Sequence, residues 1–354
     1  MSESLHEGAM TAMVTPFTDH SRIDWNGFAK NIQFQRSQGI RCIVPVGTTG
    51  ESPTITPTEH RDLIHAAISC TRGTGMDILP GCGSNSTEEA MDYIEVANRL
   101  GCRGALLVDP YYNGPSSIEI RDEYYGVLAV NNQNPNFLLV PYIIPGRTGC
   151  SLAPEDLVQL ALNYPHSFRA VKEATGDLNR MLRTRSLLVA SGIRDFQIIS
   201  GDDDKTAEMI TSDVLSCGVI SVTSNIAPAA VQQMCMLLLR GGENEALAIR
   251  NQLAPLFKVV TFLADRFIKG GATVTDKFRN PLPVKIMMDV LGMPAGSCRR
   301  PLGRMTASGI GILMQALQTV WKESPWILRP IEEFYGVDIQ SRINDHELWE
   351  KHQY

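Results

Sequence analysis

The sequence predicts an α/β protein: a closed (β/α)8 TIM barrel followed by a C-terminal helical region. Three observations predict it. Eight short apolar runs recur between residues 10 and 222, with starts about 22 to 35 residues apart, the size of one strand plus one helix. The runs are continuous rather than alternating, as strands covered on both faces require. Helix-length segments with start and stop signals fill the gaps.

The strand candidates are MTAMV (10–14), RCIVPV (41–46), MDILP (76–80) and GALLVD (104–109). FLLVPY (137–142), FRAVK (168–172), FQIIS (196–200) and GVISV (218–222) complete the set. Between them, SNSTEEAMDYIEVANRLG has a Ser/Thr start, early Glu residues and a terminal Gly. SLAPEDLVQLALNYP has Pro154 in its first turn and Pro165 at its stop. TPTEHRDLIHAAISCT has the same pattern. An open doubly wound sheet is the competing arrangement. It calls for a glycine-rich phosphate loop after an early strand, and PVGTTGES has neither the GxGxxG spacing nor a P-loop lysine. Segments 228–240, 243–268, 282–291 and 305–320 read as helical, with no clear strand between them. The expected organisation is a barrel over 8–226, a helical layer over 227–320 and an extension over 321–354. That extension mixes apolar anchors with charge, so it either docks on a neighbouring subunit or frays.

Composition narrows the function. A net charge of -6 without a basic stripe argues against a nucleic-acid partner. No run approaches the roughly 20 apolar residues of a membrane span. The N-terminus lacks a basic region followed by an apolar core, so a cytoplasmic protein is expected. The eight cysteines are scattered, with no CxxC and no zinc spacing; they read as buried free thiols, and no metal site is expected. GDDDK (201–205) resembles a cation site but reads better as a helix N-terminus with acidic caps.

In a barrel of this kind the chemistry sits at the C-terminal ends of the strands. Those ends hold Gly47 to Glu51, Tyr111, Tyr112, Tyr142, Arg147, Lys172, Glu173, Gly201 and Asp202. Lys172 closes an apolar run, so its amine points into a partly enclosed site. Burial disfavours the charged form, and a neutral amine attacks the ketone of a 2-oxo acid to form an imine. Taken alone, a strand-end lysine more often snorkels to solvent. Tyrosine and threonine hydroxyls suit a proton-passing chain, although each tyrosine singly reads as a packed aromatic. Arg147 suits a carboxylate, or a loop salt bridge. Backbone amides near Thr48 and Thr49 suit the carboxylate of pyruvate.

The chain resembles the dihydrodipicolinate synthase / N-acetylneuraminate lyase family over roughly residues 8–305. Seven motifs in family order carry the resemblance: GTTGES (47–52), PYYNGP (110–115), PGRTG (145–149), KEATGD (172–177), SGDD (200–203), GVISVTSN (218–225) and NPLPVK (280–285). The resemblance implies a pyruvate imine on Lys172, with no other cofactor, and a relay of Thr49, Tyr112 and Tyr142. It implies pyruvate binding by Thr48, Thr49 and Ile220, and an acceptor carboxylate on Arg147. It implies a homodimer or homotetramer in which Tyr111 reaches the adjoining subunit's site. Ser52, His60, Asn85, Glu89 and Tyr111 match a lysine-binding site at the dimer interface, with Pro57 where some lysine-sensitive members carry histidine.

The RTG form favours synthases that condense pyruvate with L-aspartate 4-semialdehyde to 4-hydroxy-tetrahydrodipicolinate, on the route to lysine and diaminopimelate. Two departures leave room for another acceptor. Ile143 stands where the family usually has asparagine, and Gly114 where it has arginine. The alternatives are a 4-hydroxy-2-oxoglutarate or 2-keto-3-deoxy sugar-acid aldolase or dehydratase, and a non-catalytic pyruvate- or lysine-binding regulator.

Overall fold

A computed structural model describes residues 5–354. Each of the eight apolar runs contains a strand: β1 (Gly8–Ala12), β2 (Cys42–Val44), β3 (Asp77–Ile78), β4 (Gly104–Val108), β5 (Leu138–Ile143), β6 (Ala170–Glu173), β7 (Gln197–Ser200) and β8 (Gly218–Ser221). All eight are parallel, in the order β3-β2-β1-β8-β7-β6-β5-β4. A parallel bridge between Gly81 and Leu106 joins β3 to β4 and brings the sheet round to a barrel. The three helices read from capping signals form at Pro57–Thr71, Thr87–Arg99 and Pro154–Asn163. The first has a complete capping box: the Thr56 hydroxyl accepts from Glu59 N, and the Glu59 carboxylate accepts from Thr56 N.

Two apolar cores follow from strand alternation. One fills the barrel lumen and includes Met10, Val44, Leu106, Val140, Tyr142 and Ile220. The other lies between barrel and helices and includes Ile43, Leu139, Ile143 and Val171. On β5, therefore, Tyr142 faces in and Ile143 faces out. Register does the rest. Tyr142 pairs with Lys172 and Ile143 with Glu173, so the lysine shares the inward face of the tyrosine. Leu5 belongs to the lumen cluster too, its backbone N–H and C=O both bonded to the Gln197 amide. The cysteines are unpaired, and all but Cys70 are buried. No helix among the described residues is long and apolar enough to cross a membrane.

The helical reading of 243–268 needs correction. That helix ends at Lys258, and an antiparallel hairpin follows: β9 (Thr261–Phe267) and β10 (Thr273–Arg279). Thr261, Phe262 and Phe267 opposite Val274, Thr275 and Phe278 are strand-forming residues, and Gly270 and Gly271 take positive φ in the turn. The extension does not fray. Its helices Arg329–Tyr335, Ile339–Asn344 and His346–Glu350 bury Ile331, Ile339, Ile343 and Trp349 against the chain's own core. Tyr335 donates to Asn31 Oδ1 at 2.8 Å, and Asp289 takes both Lys351 (2.6 Å) and His352 (2.8 Å).

Beyond the hairpin, the helix Leu282–Val290 carries Lys285 into the interior. Its Nζ lies 2.7 Å from Glu51 Oε1, and both side chains are sealed from solvent. Lys285 also donates to Thr15 O at 3.0 Å, and Glu51 Oε2 accepts from Arg299 N at 2.9 Å. The Phe17 ring lies 4.1 Å from the ammonium.

Two stability outcomes are expected. Trp349→Ala leaves a cavity under the extension and lowers unfolding free energy in denaturant titration by about 3–5 kcal/mol; an unchanged midpoint means the extension is dispensable. Lys285→Met strands a buried carboxylate and costs about 3–5 kcal/mol by the same measurement. Adding Glu51→Gln removes the stranded charge and recovers part of that loss.

Candidate active site

Lys172, at the end of β6, is 5 % exposed. Its Nζ lies 4.0 Å from the centre of the Tyr142 ring. Burial lowers its pKa from 10.5 to about 8, against the opposing pull of Asp202 and Asp203. At neutral pH that makes the neutral amine about 300-fold more abundant than on an ordinary lysine. Gly201 keeps space for it. A Cβ there would sit 2.5 Å from the Ala174 Cβ and 3.1 Å from the Lys172 Cε. The cavity in front of the amine has a volume of about 90 Å³, and Thr48, Thr49, Tyr142, Arg147, Asp202 and Asn280 are among its walls.

Burial raises the Tyr142 pKa to about 12, and Arg147 and a hydrogen bond with the Thr48 side chain oppose the rise. The phenol is therefore protonated at neutral pH, a donor with a threonine hydroxyl next in line. The Thr48 side chain thus neighbours the tyrosine at the cavity wall. The Thr49 hydroxyl instead accepts from Asn280 Nδ2 at 2.9 Å. Arg147 sits in the short helix Pro145–Thr148 that follows β5, and donates from Nη2 to Asn280 O at 2.7 Å. Solvent reaches it at the cavity mouth, yet the surrounding protein and the charge of Arg279 lower its pKa.

The two neighbouring tyrosines part ways. Tyr112 takes a positive φ of 75° and is 91 % exposed, so it is absent from the Lys172 cavity of its own chain. Tyr111 turns inward instead, half-buried, with its pKa raised by burial and by Glu89. Tyr112 is thus the one of the pair that projects outward, and neither lines the Lys172 cavity. Ile220 is buried in the lumen core opposite Met10, and Val222 is the β8-side residue that lines the cavity.

His60, Glu89 and Tyr111 do gather. Burial lowers the His60 pKa to about 4; its Nε2 lies 2.8 Å from Gly81 O and its ring stacks on Tyr93 at 3.8 Å. Tyr93 donates to Glu89 Oε1 at 3.1 Å, and Ser84 donates to Glu89 Oε2. Ser52 lies apart, on a small crevice beside Tyr142, and Asn85 is exposed.

Three further residues shape the site. Asp202 faces Lys172, and burial raises its pKa to about 6. Asp203 does not cap its own turn: its Oδ2 accepts from Val222 N, Thr223 N and the Thr223 hydroxyl, fixing the end of β8. Asn280 ties Thr49 to Arg147. It opens the NPLPVK motif, whose position in family order was the available signal. Among the described residues, no group of three or more His, Cys, Asp or Glu side chains is placed to hold a metal.

Comparison with known proteins converges on this arrangement. Residues 5–320 match the sequence profile of the Dihydrodipicolinate synthetase family. A 4-hydroxy-tetrahydrodipicolinate synthase of Endomicrobium trichonymphae is 36 % identical over 301 residues, covering 85 % of this chain and 94 % of that protein. One from Methanococcus vannielii is 34 % identical, covering 89 % and 98 %. Among solved structures, a Cyanidioschyzon merolae enzyme of this kind with lysine bound superposes with a TM-score of 0.79, at 31 % identity, covering 90 % of this chain and 99 % of that one. The synthase of Methylacidiphilum fumariolicum gives 0.78 at 30 % identity, covering 93 % and 99 %. The barrel, its strand-end lysine and these relatives agree: the chain belongs to the dihydrodipicolinate synthetase family.

Proposed function

We propose that the protein is a 4-hydroxy-tetrahydrodipicolinate synthase, condensing pyruvate with L-aspartate 4-semialdehyde through an imine on Lys172. The observation that carries the reading is an enclosed lysine amine, its pKa lowered by burial, lying against a protonated tyrosine in a small cavity.

The neutral Nζ attacks the pyruvate ketone. Tyr142 donates the proton that lets the carbinolamine lose water, and Thr48 passes protons to and from the phenol. The protonated imine acidifies the methyl carbon. Loss of a proton there gives the enamine, whose carbon attacks the aldehyde of the acceptor. Asp202, beside the lysine, stabilises the cationic imine. Arg147 holds the acceptor carboxylate. The acceptor amine then closes on the imine carbon and displaces Lys172.

The departures that favoured another acceptor lie off the cavity. Ile143 is buried in the outer core, and Gly114 occupies an exposed turn at φ 64°. A regulator that only binds pyruvate has no use for a neutral amine beside a proton donor. The exposed Tyr112, held in a conformation that costs a non-glycine residue energy, supports a homo-oligomer in which it reaches a second copy's cavity. The cluster of His60, Glu89 and Tyr111 supports a lysine-responsive site, and the cytosol is the compartment such a pathway implies.

Borohydride with pyruvate should add one reduced adduct to the parent protein, and none to Lys172→Ala, by intact mass. An identical adduct on both sinks the imine reading. The trapping rate at subsaturating pyruvate should climb about tenfold per pH unit below about 8 and level off above it, because only the neutral amine attacks. In a coupled assay with L-aspartate 4-semialdehyde, Tyr142→Phe should lower kcat by about 10²–10⁴-fold. Turnover of a 4-hydroxy-2-oxo acid in place of the semialdehyde would instead identify an aldolase of the same family.

A further inference from the structure

The hairpin β9–β10 stands beside the cavity mouth. It encloses a second chamber of about 880 Å³ that shares Thr48, Arg147 and Asn280 with the Lys172 cavity. This chamber is far larger than a four-carbon aldehyde needs, and its charge is one-sided. Of its two carboxylates, Glu51 is engaged with Lys285 and Asp276 with Arg266 at 2.8 Å. Arg147, Lys277, Arg279 and Arg304 line it with no carboxylate partner among the described residues.

Arg279, the last residue of β10, is tied directly to the segment that carries Arg147. It donates from Nη1 to Gly146 O at 2.8 Å, while Arg147 donates to Asn280 O at 2.7 Å. These reciprocal bonds strap residues 146–147 to 279–280 and set two guanidiniums side by side. The charge of Arg279 is felt at Arg147. Each guanidinium has five N–H donors and uses one of them on these carbonyls, so most remain for a ligand. Two like charges held together in a half-enclosed chamber make an anion site.

We propose that Arg279 joins Arg147 in binding the carboxylate of the acceptor aldehyde, and that the hairpin chamber is the acceptor's anion subsite. Lys277 and Arg304 extend its positive potential outward and draw anions in. The proposal rests on the reading of Lys172 as pyruvate's partner, and it adds a specificity-determining residue from a segment outside the barrel.

The test uses the full chain with Arg279→Gln and Arg279→Lys. Borohydride trapping of pyruvate should match the parent in both. KM for L-aspartate 4-semialdehyde should rise about 10–100-fold in Arg279→Gln, the loss expected for a charge-assisted pair, with kcat within about twofold and partial recovery in Arg279→Lys. The fall of kcat/KM with added salt should be shallower in Arg279→Gln. An acceptor KM within twofold of the parent overturns the proposal, as does a joint loss of kcat and thermal stability, which marks Arg279 as a strap only. Succinate, a dicarboxylate probe that needs no turnover, gives an independent measurement by calorimetry on the pyruvate-reduced protein. Binding weakened at least tenfold by Arg279→Gln supports the subsite; no binding to the parent overturns it. Failure of pyruvate trapping in the parent would strike the function reading instead, and calorimetry on the unreduced protein then decides the subsite by the same two outcomes.

Discussion

The buried ion pair of Lys285 and Glu51 is the constraint on which the site depends. Two charges removed from water are tolerable only when each is fully matched. Lys285 meets Glu51 and the Thr15 carbonyl, and Glu51 meets the Arg299 amide as well. Four separated segments are thereby locked in one place: the turns after β1 and β2, the helix after the hairpin, and the irregular stretch near Arg299. Glu51 itself holds a left-handed backbone at φ 60°, which such over-determination can sustain. Thr48 and Thr49 lie immediately before it, and Asn280 five residues before Lys285. The positions of the hydroxyls around the amine therefore derive from a pair that lies outside the Lys172 cavity.

The reactivity of Lys172 reflects a balance rather than burial alone. Enclosure drives the amine toward neutrality, and the carboxyl of Asp202 pulls it back. The same enclosure raises Asp202. A more acidic site would keep the lysine charged and unreactive. A wholly apolar one would give a nucleophile but no support for the cationic imine that follows. In the proposed reaction, the geometry serves both halves.

Much of this was legible in the sequence, and the exceptions have physical causes. Barrel strands covered on both faces must be apolar throughout, so their runs stood out, and Lys172 and Tyr142 at the ends of two of them were identifiable. The hairpin was missed because Leu263, Ala264 and Phe267 continue the apolar spacing of the preceding helix, and the Gly270-Gly271 turn was the only strong interruption. The orientations of the paired threonines and tyrosines were unreadable for another reason. In loops, adjacent residues of one type differ only in backbone conformation. A positive φ at Tyr112 sends it outward, and no spacing rule encodes that. Intramolecular docking of the extension was not readable either, because the partners of Trp349 and Tyr335 lie far away in sequence.

The path of the extension has a practical side. After leaving the core at Trp349 the chain runs beside Met305, where Met305 N donates to His352 O and Tyr354 N to Met305 O. Tyr354 then stands on the wall of the hairpin chamber. Whatever is joined to the chain after Tyr354, such as a purification handle or a fluorescent label, emerges at the wall of that chamber. A basic handle there would compete with the arginines for incoming anions, and a bulky one would narrow the entrance. Leu5, the first of the described residues, plugs the lumen beneath the barrel floor. A label at that face of the barrel, where β7 begins at Gln197, stands away from the strand ends that carry Tyr142 and Lys172.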